Sequence, residues 1–173
     1  ILSKLGYPVY DTDQEARRLQ NENPELINAI NQLFGSSIYE NGQLNRPAVA
    51  EKVFKNPGLL QQLTLLVHPV VKEDFNLWLS QQHAQVVFIE SAVLFEGNFD
   101  SLTDRIIVVT AQEEIRIQRV MERDGSSHEQ VADRIRHQLP EEEKIKKAHL
   151  VIYSDQGLKD DEIKKVINEF LHH

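Results

Sequence analysis

Three short runs in this chain are continuously apolar and rich in β-branched residues: Val86-Val87-Phe88-Ile89, Ile106-Ile107-Val108-Val109 and Leu150-Val151-Ile152-Tyr153. Unbroken rather than alternating apolarity is what strands need when helices cover both faces of a parallel sheet. A fourth, opening strand is read at Tyr7-Pro8-Val9-Tyr10, preceded by Ile1 to Gly6 as the last turns of a helix with Gly6 as its stop. Helical patterns separate the strands. Asn23 caps and Pro24 opens a segment that puts Leu26, Ile27, Ile30, Leu33 and Phe34 on one stripe before Gly35 ends it. Residues 47–55 form a second helix, capped by Asn45 or Arg46. A longer one starts near Pro57, is broken or kinked by Pro69 and continues toward Trp78 and Leu79. Further helical patterns occupy 112–123, 127–139 and 158–171.

A crossover between parallel strands ordinarily carries one helix, yet residues 14–85 hold three or four. The surplus reads as a helical insertion on an α/β core. The core is then residues 1–13, 86–111 and 149–173, with 14–85 inserted and 112–148 forming a separate helix pair.

Composition narrows the class. The 173 residues include 40% hydrophobic and 27% charged side chains, ordinary for a folded soluble domain. Apolar runs stop at four or five residues, far short of a membrane span. With no Cys there is no disulfide and no thiolate metal site, which fits a reducing, cytoplasmic setting. None of the seven His is spaced to pair with a carboxylate as a transition-metal ligand. A net charge of −8 argues against general nucleic-acid binding. Six of the nine Arg (105, 116, 119, 123, 134 and 136) nevertheless fall within 105–136, where there is no Lys. Arg without Lys suits planar, bidentate recognition of oxyanions.

In open α/β sheets ligands sit beyond the carboxyl ends of the strands. Those ends carry Asp11-Thr12-Asp13, Glu90-Ser91, Thr110 and Ser154-Asp155, and parallel strands bring them to one rim. Carboxylates on two such ends suit work on a hydroxyl and a metal-bound phosphate: one accepts the proton, the other helps order Mg²⁺. The plainer reading is that Asp11 or Asp13 caps the next helix, and one carboxylate can do both. Arg116, Arg119 and Arg123 share a helical face at i, i+3 and i+7. Asp124-Gly125-Ser126-Ser127 is a turn, with Ser126 or Ser127 opening a capping box, and the next helix carries Arg134 and Gln138. The pair makes a lid over a polyphosphate or, equally on spacing alone, a salt-bridged solvated surface. Glu141-Glu142-Glu143-Lys144 reads as a solvated helix start.

In order along the chain these residues resemble the dephospho-CoA kinase family. The resemblance is carried by Leu5-Gly6 with Tyr10-Asp11-Thr12-Asp13, Gly42-x-Leu44-Asn45-Arg46, Val53-Phe54-x-Asn56-Pro57 and His68-Pro69. It continues through Leu94-Phe95-Glu96, Arg119-x-x-x-Arg123-Asp124-Gly125-Ser126, Arg134-Ile135-x-x-Gln138, and Val151-Ile152 with Gly157. It implies a parallel-sheet, phosphate-loop nucleotide-kinase-like core with a helical CoA-binding insertion and an Arg-bearing lid. It also implies ATP and dephospho-CoA as substrates and Mg²⁺ as cofactor. By the same resemblance Asp13 is the catalytic carboxylate and Asp11 its neighbour. Asn45, Arg46, His68, Phe95 and Glu96 face dephospho-CoA, and Arg119, Arg123 and Arg134 are lid arginines. Ser154, Asp155 and Gly157 lie by the adenine. Of the strand-end carboxylates, Glu90 is the candidate that orders Mg²⁺ through water.

Two departures stand out. Ser91-Ala92-Val93-Leu94-Phe95-Glu96 has Ala92 where such kinases usually carry proline, and keeps Phe95 and Glu96. The Gly-rich phosphate loop is not among these residues and is expected upstream of Ile1, so the 173-residue polypeptide alone is expected not to turn over ATP. Another nucleoside or nucleotide kinase of this architecture, or a non-catalytic nucleotide- or CoA-binding module, are the competing readings. The reading frame ahead of Ile1 separates them.

Overall fold

The computed structural model describes residues 1–35, 38–56 and 58–172, so the expected helix start at Pro57 lies outside the described residues. The opening segment is a 3-10 turn over Leu2–Leu5 rather than the end of an α-helix, and Gly6 leaves it at φ +89°. Two compact units follow, dividing between Ala92 and Val93.

In the first unit, β1 (Val9–Asp11) pairs in parallel with β4 (Phe88–Glu90), with Tyr10 opposite Ile89 and Asp11 opposite Glu90. Between them come α1 (Thr12–Glu22), α2 (Pro24–Phe34), a hairpin of β2 (Tyr39–Glu40) and β3 (Gln43–Leu44), α3 (Arg46–Lys55) and α4 (Gly58–Ser80). Asn23 caps α2 through Leu26 N–H, and the expected apolar stripe delivers Leu26, Ile30 and Phe34 to the core. The hairpin is absent from the sequence reading although its signal is present. Asn41 and Gly42 sit at φ 51° and 76°, the two left-handed positions that a two-residue turn between twisted strands requires. Helix α4 runs unbroken through Pro69. Packing of Val67, Val71 and Phe75 into the core outweighs the hydrogen bond lost at Pro69.

Tyr10 ties the strand to this helix. Its ring meets Phe75 edge-on at 5.2 Å and lies 5.4 Å from Trp78. Its hydroxyl donates to Asp74 at 2.7 Å. Burial, then the Asp74 hydrogen bond, push the phenol above its ordinary range. Asp74 also accepts from Arg18 of α1 at 2.7 Å, so strand, first helix and long helix meet at one carboxylate.

In the second unit, β5 (Ile107–Thr110) pairs in parallel with β6 (Leu150–Tyr153), Thr110 opposite Tyr153. Parallel pairing matches the expectation; continuous burial does not, since Val109 and Tyr153 are 54% and 67% exposed. The strands carry between them α5 (Glu113–Asp124), α6 (His128–Arg136) and α7 (Glu141–Lys147), and α8 (Asp160–His172) follows. Gly125 ends α5 at φ +66°, and Ser127, not Ser126, opens α6 in a capping box with Gln130. Helix α6 stops at Arg136, short of the expected 139. The acidic run does start a helix, α7. No described helix is long and apolar enough to cross a membrane.

The first unit offers a direct test of its core. Ile30 is fully buried, so Ile30→Ala should cost about 2–5 kcal/mol of stability. Urea unfolding followed by the fluorescence of Trp78, the single tryptophan, measures it. A loss below about 1 kcal/mol would contradict this packing.

Candidate active site

The opening carboxylates separate into two jobs. Asp11 is the last residue of β1 and the N-cap of α1, its Oδ1 accepting from the backbone N–H groups of Asp13 and Gln14, both at 3.0 Å. This satisfies two of the amides a helix start leaves unpaired. Asp13 is therefore not a strand residue, as expected from sequence, but an exposed residue in the first turn of α1. Its carboxylate is one of the charges felt by His68 of α4. Burial first, and Lys72 second, lower the His68 imidazole from its ordinary range, while Asp13 opposes them. The site thus has a neutral imidazole beside a carboxylate at neutral pH. Lys72, one helical turn beyond His68, was not singled out from the sequence; its i+4 spacing was the available signal. Glu90 is opposite Asp11 in the strand register and exposed.

At the far end of α1 lie Asn45 and Arg46. Asn45 caps α3 through Ala48 N–H at 3.0 Å and donates to Glu40 at 2.7 Å. Arg46 is exposed as a residue, but its guanidinium is tucked against α1, donating to Gln20 Oε1 at 2.8 Å. Burial, then the charge of Arg17, lower it from the usual arginine range.

The second unit holds the remaining candidates. The arginines of α5 and α6 differ sharply in their partners. Arg116 pairs with Glu141 at 2.6 Å. Arg123 forms a fork on Asp124 at 2.7 and 3.0 Å, and Arg134 approaches the same carboxylate at 3.6 Å. For these three the salt-bridge reading describes the structure as it stands. Arg119 is different: it donates to Ser154 Oγ at 3.0 Å and to the carbonyls of Ser154 and Asp155 at 2.6 and 3.3 Å, all uncharged oxygens. It thereby pins the loop after β6. Asp155 accepts from Gln112 N–H at 2.8 Å at the start of α5, and Gly157 turns the chain at φ +84°. This loop borders an open groove that continues along Leu158, Lys159 and Glu162. Glu96 accepts from Leu139 N–H, and Lys147 lies over the Phe95 ring at 5.3 Å.

Among the described residues no three His, Asp or Glu converge as a metal cage.

Parallel strand pairs, a carboxylate just past a strand end and an arginine fork on a helix pair are the equipment of the nucleotide-kinase-like α/β class. The comparisons with known proteins sharpen this. A family model described as dephospho-CoA kinase matches residues 1–172. The dephospho-CoA kinase of Porphyromonas gingivalis is 44% identical over 142 residues, covering 82% of this chain and 70% of that protein. That of Chlorobaculum tepidum is 34% identical and covers 98% of this chain and 84% of its own length. Among solved structures, a Thermus thermophilus protein superposes with a TM-score of 0.79 at 37% identity, over 97% of this chain and 87% of that one. Dephospho-CoA kinase from Campylobacter jejuni superposes with a TM-score of 0.68 at 26% identity, over 98% and 87%. The chain belongs to the dephospho-CoA kinase family.

The His68 environment predicts a pH dependence. Unfolded, His68 titrates near 6.5; folded, it titrates lower. Between those values the unfolded chain holds the extra proton, so stability falls as pH drops through about 6.5 and levels off below the folded pKa. The loss of melting temperature between pH 7.5 and 5.5 should be smaller in His68→Gln than in the wild type. Equal losses would contradict the assignment.

Proposed function

We propose that this protein transfers the γ-phosphoryl group of ATP to the ribose 3′-hydroxyl of dephospho-CoA, giving CoA and ADP, the last step of CoA synthesis, in the cytoplasm. Membership of the family over residues 1–172 is the observation that carries the reading. The local geometry supports the following assignment of roles.

Asp13 is the group that receives the hydroxyl's proton. Asp11 is less suited, because its Oδ1 is committed to two backbone N–H groups of the helix start. That commitment instead fixes the first turn, and with it the direction in which Asp13 points. A ribose hydroxyl is a weak nucleophile at neutral pH. A positioned carboxylate orients it and takes the proton as the new P–O bond forms and the bond to the leaving ADP oxygen breaks. His68, kept neutral by burial and by Lys72, hydrogen-bonds the acceptor side without adding a competing charge. Mg²⁺, when bound with ATP, neutralises phosphate charge; Glu90 would help hold it through water.

Arg119 is the lid residue best prepared to meet a phosphoryl group. Its present acceptors are neutral oxygens, so an anionic oxygen is a better partner than those it would leave. Arg123 and Arg134 share Asp124 and serve the same lid from its turn. Ser154, Asp155 and Gly157 shape the adenine side, and Asn45, Arg46, Phe95 and Glu96 serve the acceptor.

In the active enzyme, Asp13→Asn should lower kcat by about 10²–10⁴, the range of a general base, with KM for both substrates little changed. Asp11→Asn should be milder, since Asn caps a helix as well as Asp. A coupled assay for ADP release reads both. If Asp13→Asn keeps more than about a tenth of activity while Asp11→Asn abolishes it, the two roles are reversed.

A further inference from the structure

The α5–α6 pair is tied down at both of its ends, and by the same device. At the start, the backbone N–H of Gln112, the N-cap of α5, donates to Asp155 Oδ1 at 2.8 Å. At the finish, the backbone N–H of Leu139 donates to the Glu96 carboxylate. Leu139 precedes Pro140, which disfavours helical backbone there and separates α6 from α7. Between these two points the pair is held to itself. Arg123 and Arg134 meet on Asp124 at its tip, Ser127 caps α6, and Ile117 and Val131 are buried.

Each carboxylate stands on a braced turn. Glu96 lies in the turn 93–99, crossed by backbone hydrogen bonds from Gly97 to Val93 at 2.8 Å, Asn98 to Phe95 at 3.0 Å and Phe99 to Leu94 at 2.8 Å. Phe99 is buried and anchors that turn, and glycine is required at Gly97, since a Cβ there would stand 2.5 Å from the Phe99 ring. Asp155 follows Ser154, whose N–H and hydroxyl both donate to the Thr110 carbonyl at the end of β5, at 2.7 and 2.9 Å. A carboxylate accepting from an N–H makes a charge-assisted bond, roughly twice as strong as a neutral one. Both bonds reach the main chain of the pair, so no rotation of a lid side chain can loosen them.

We propose that Glu96 and Asp155 are positioning residues for phosphoryl transfer: they pin the two ends of the lid and so set where Arg119 stands. The inference rests on the phosphoryl-transfer reading above and deepens it, giving both residues a task that needs no contact with either substrate. Arg119 follows Gln112 at a distance of about 10 Å along the helix axis, at 1.5 Å per residue. A tilt of about 10° at that end therefore carries Arg119 about 2 Å sideways. A misplacement of about 1 Å can cost about a hundredfold in rate. Two pinned ends remove that freedom, whereas one would leave a pivot.

Hydrogen–deuterium exchange at peptide resolution and steady-state kinetics of the active enzyme test the proposal. Exchange should accelerate about tenfold or more in the peptide holding Leu139 for Glu96→Ala, and in the peptide holding Gln112 for Asp155→Ala. Helix α8 should keep its exchange rates in both, which shows that the variants fold. In each, kcat should fall about ten- to a hundredfold while KM for dephospho-CoA stays within about twofold. Glu96→Gln and Asp155→Asn keep an acceptor oxygen at the same place and should recover part of both losses. A residue needed for its charge against a substrate or a metal would gain nothing from the amide. Unmoved exchange at Leu139 and Gln112 in the alanine variants would overturn the proposal. So would a KM defect at unchanged kcat, or amide variants as impaired as the alanine ones. Exchange that responds as expected in an enzyme unable to phosphorylate dephospho-CoA would instead overturn the phosphoryl-transfer reading and leave the pinned ends standing.

Discussion

The hydrogen bonds from the amides of Asp13 and Gln14 to the Asp11 carboxylate are the constraint on which the first unit's candidate site depends. A strand that ends in a capping residue turns directly into a helix, with no loop to absorb error. Asp11 is held on its strand side by the register with Glu90, and on its helix side it fixes the first turn of α1. Everything further along α1 inherits that direction: Asp13 within the first turn, Arg17 a turn later, Gln20 at the place where Arg46 docks. A side chain meant to meet a hydroxyl needs placement to a fraction of an ångström, and rigid elements give that better than loops.

One junction would not be enough if the helices could slide. Tyr10, immediately before Asp11, is buried against Phe75 and Trp78, and its hydroxyl shares Asp74 with Arg18. The residue before the cap is thus locked to α4, the helix that carries His68 and Lys72. Net gains from a single such hydrogen bond are modest, roughly 0.5–1.5 kcal/mol, or up to about 3 where a partner is charged. Their value here is geometric. In the second unit Arg119 plays the comparable part, clamping the loop after β6 through three neutral acceptors, while its arginine neighbours are already neutralised by Glu141 and Asp124.

Much of this was legible in the sequence because local signals coincide with the global fold. Continuous β-branched runs gave the parallel strands, and Asn23-Pro24 and Gly125 marked helix ends where the structure has them. The family motifs single out Asp13, Arg46 and Arg119 as candidates, and the proposed reading adopts them. What escaped depended on partners distant in the chain. Nothing local says that Arg119 meets residue 154 while Arg123, four residues on, meets its own neighbour. The continuity of α4 through Pro69 comes from tertiary burial overriding a local breaker. The Asn41-Gly42 hairpin is the opposite case: its turn signal was local, but flanking strands of two residues are too short to show alternation.

The central claim is regiochemical: in the proposed reading, Asp13, fixed in the first turn of α1 by the Asp11 cap, receives one hydroxyl of the acceptor's ribose. Phosphorus NMR of the product formed from dephospho-CoA and ATP, with proton–phosphorus correlation to the ribose, tests it most directly. The account predicts a single new phosphomonoester coupled to the 3′ proton. A monoester on the 2′ position, a mixture of the two, or ATP hydrolysis with the acceptor untouched would contradict it.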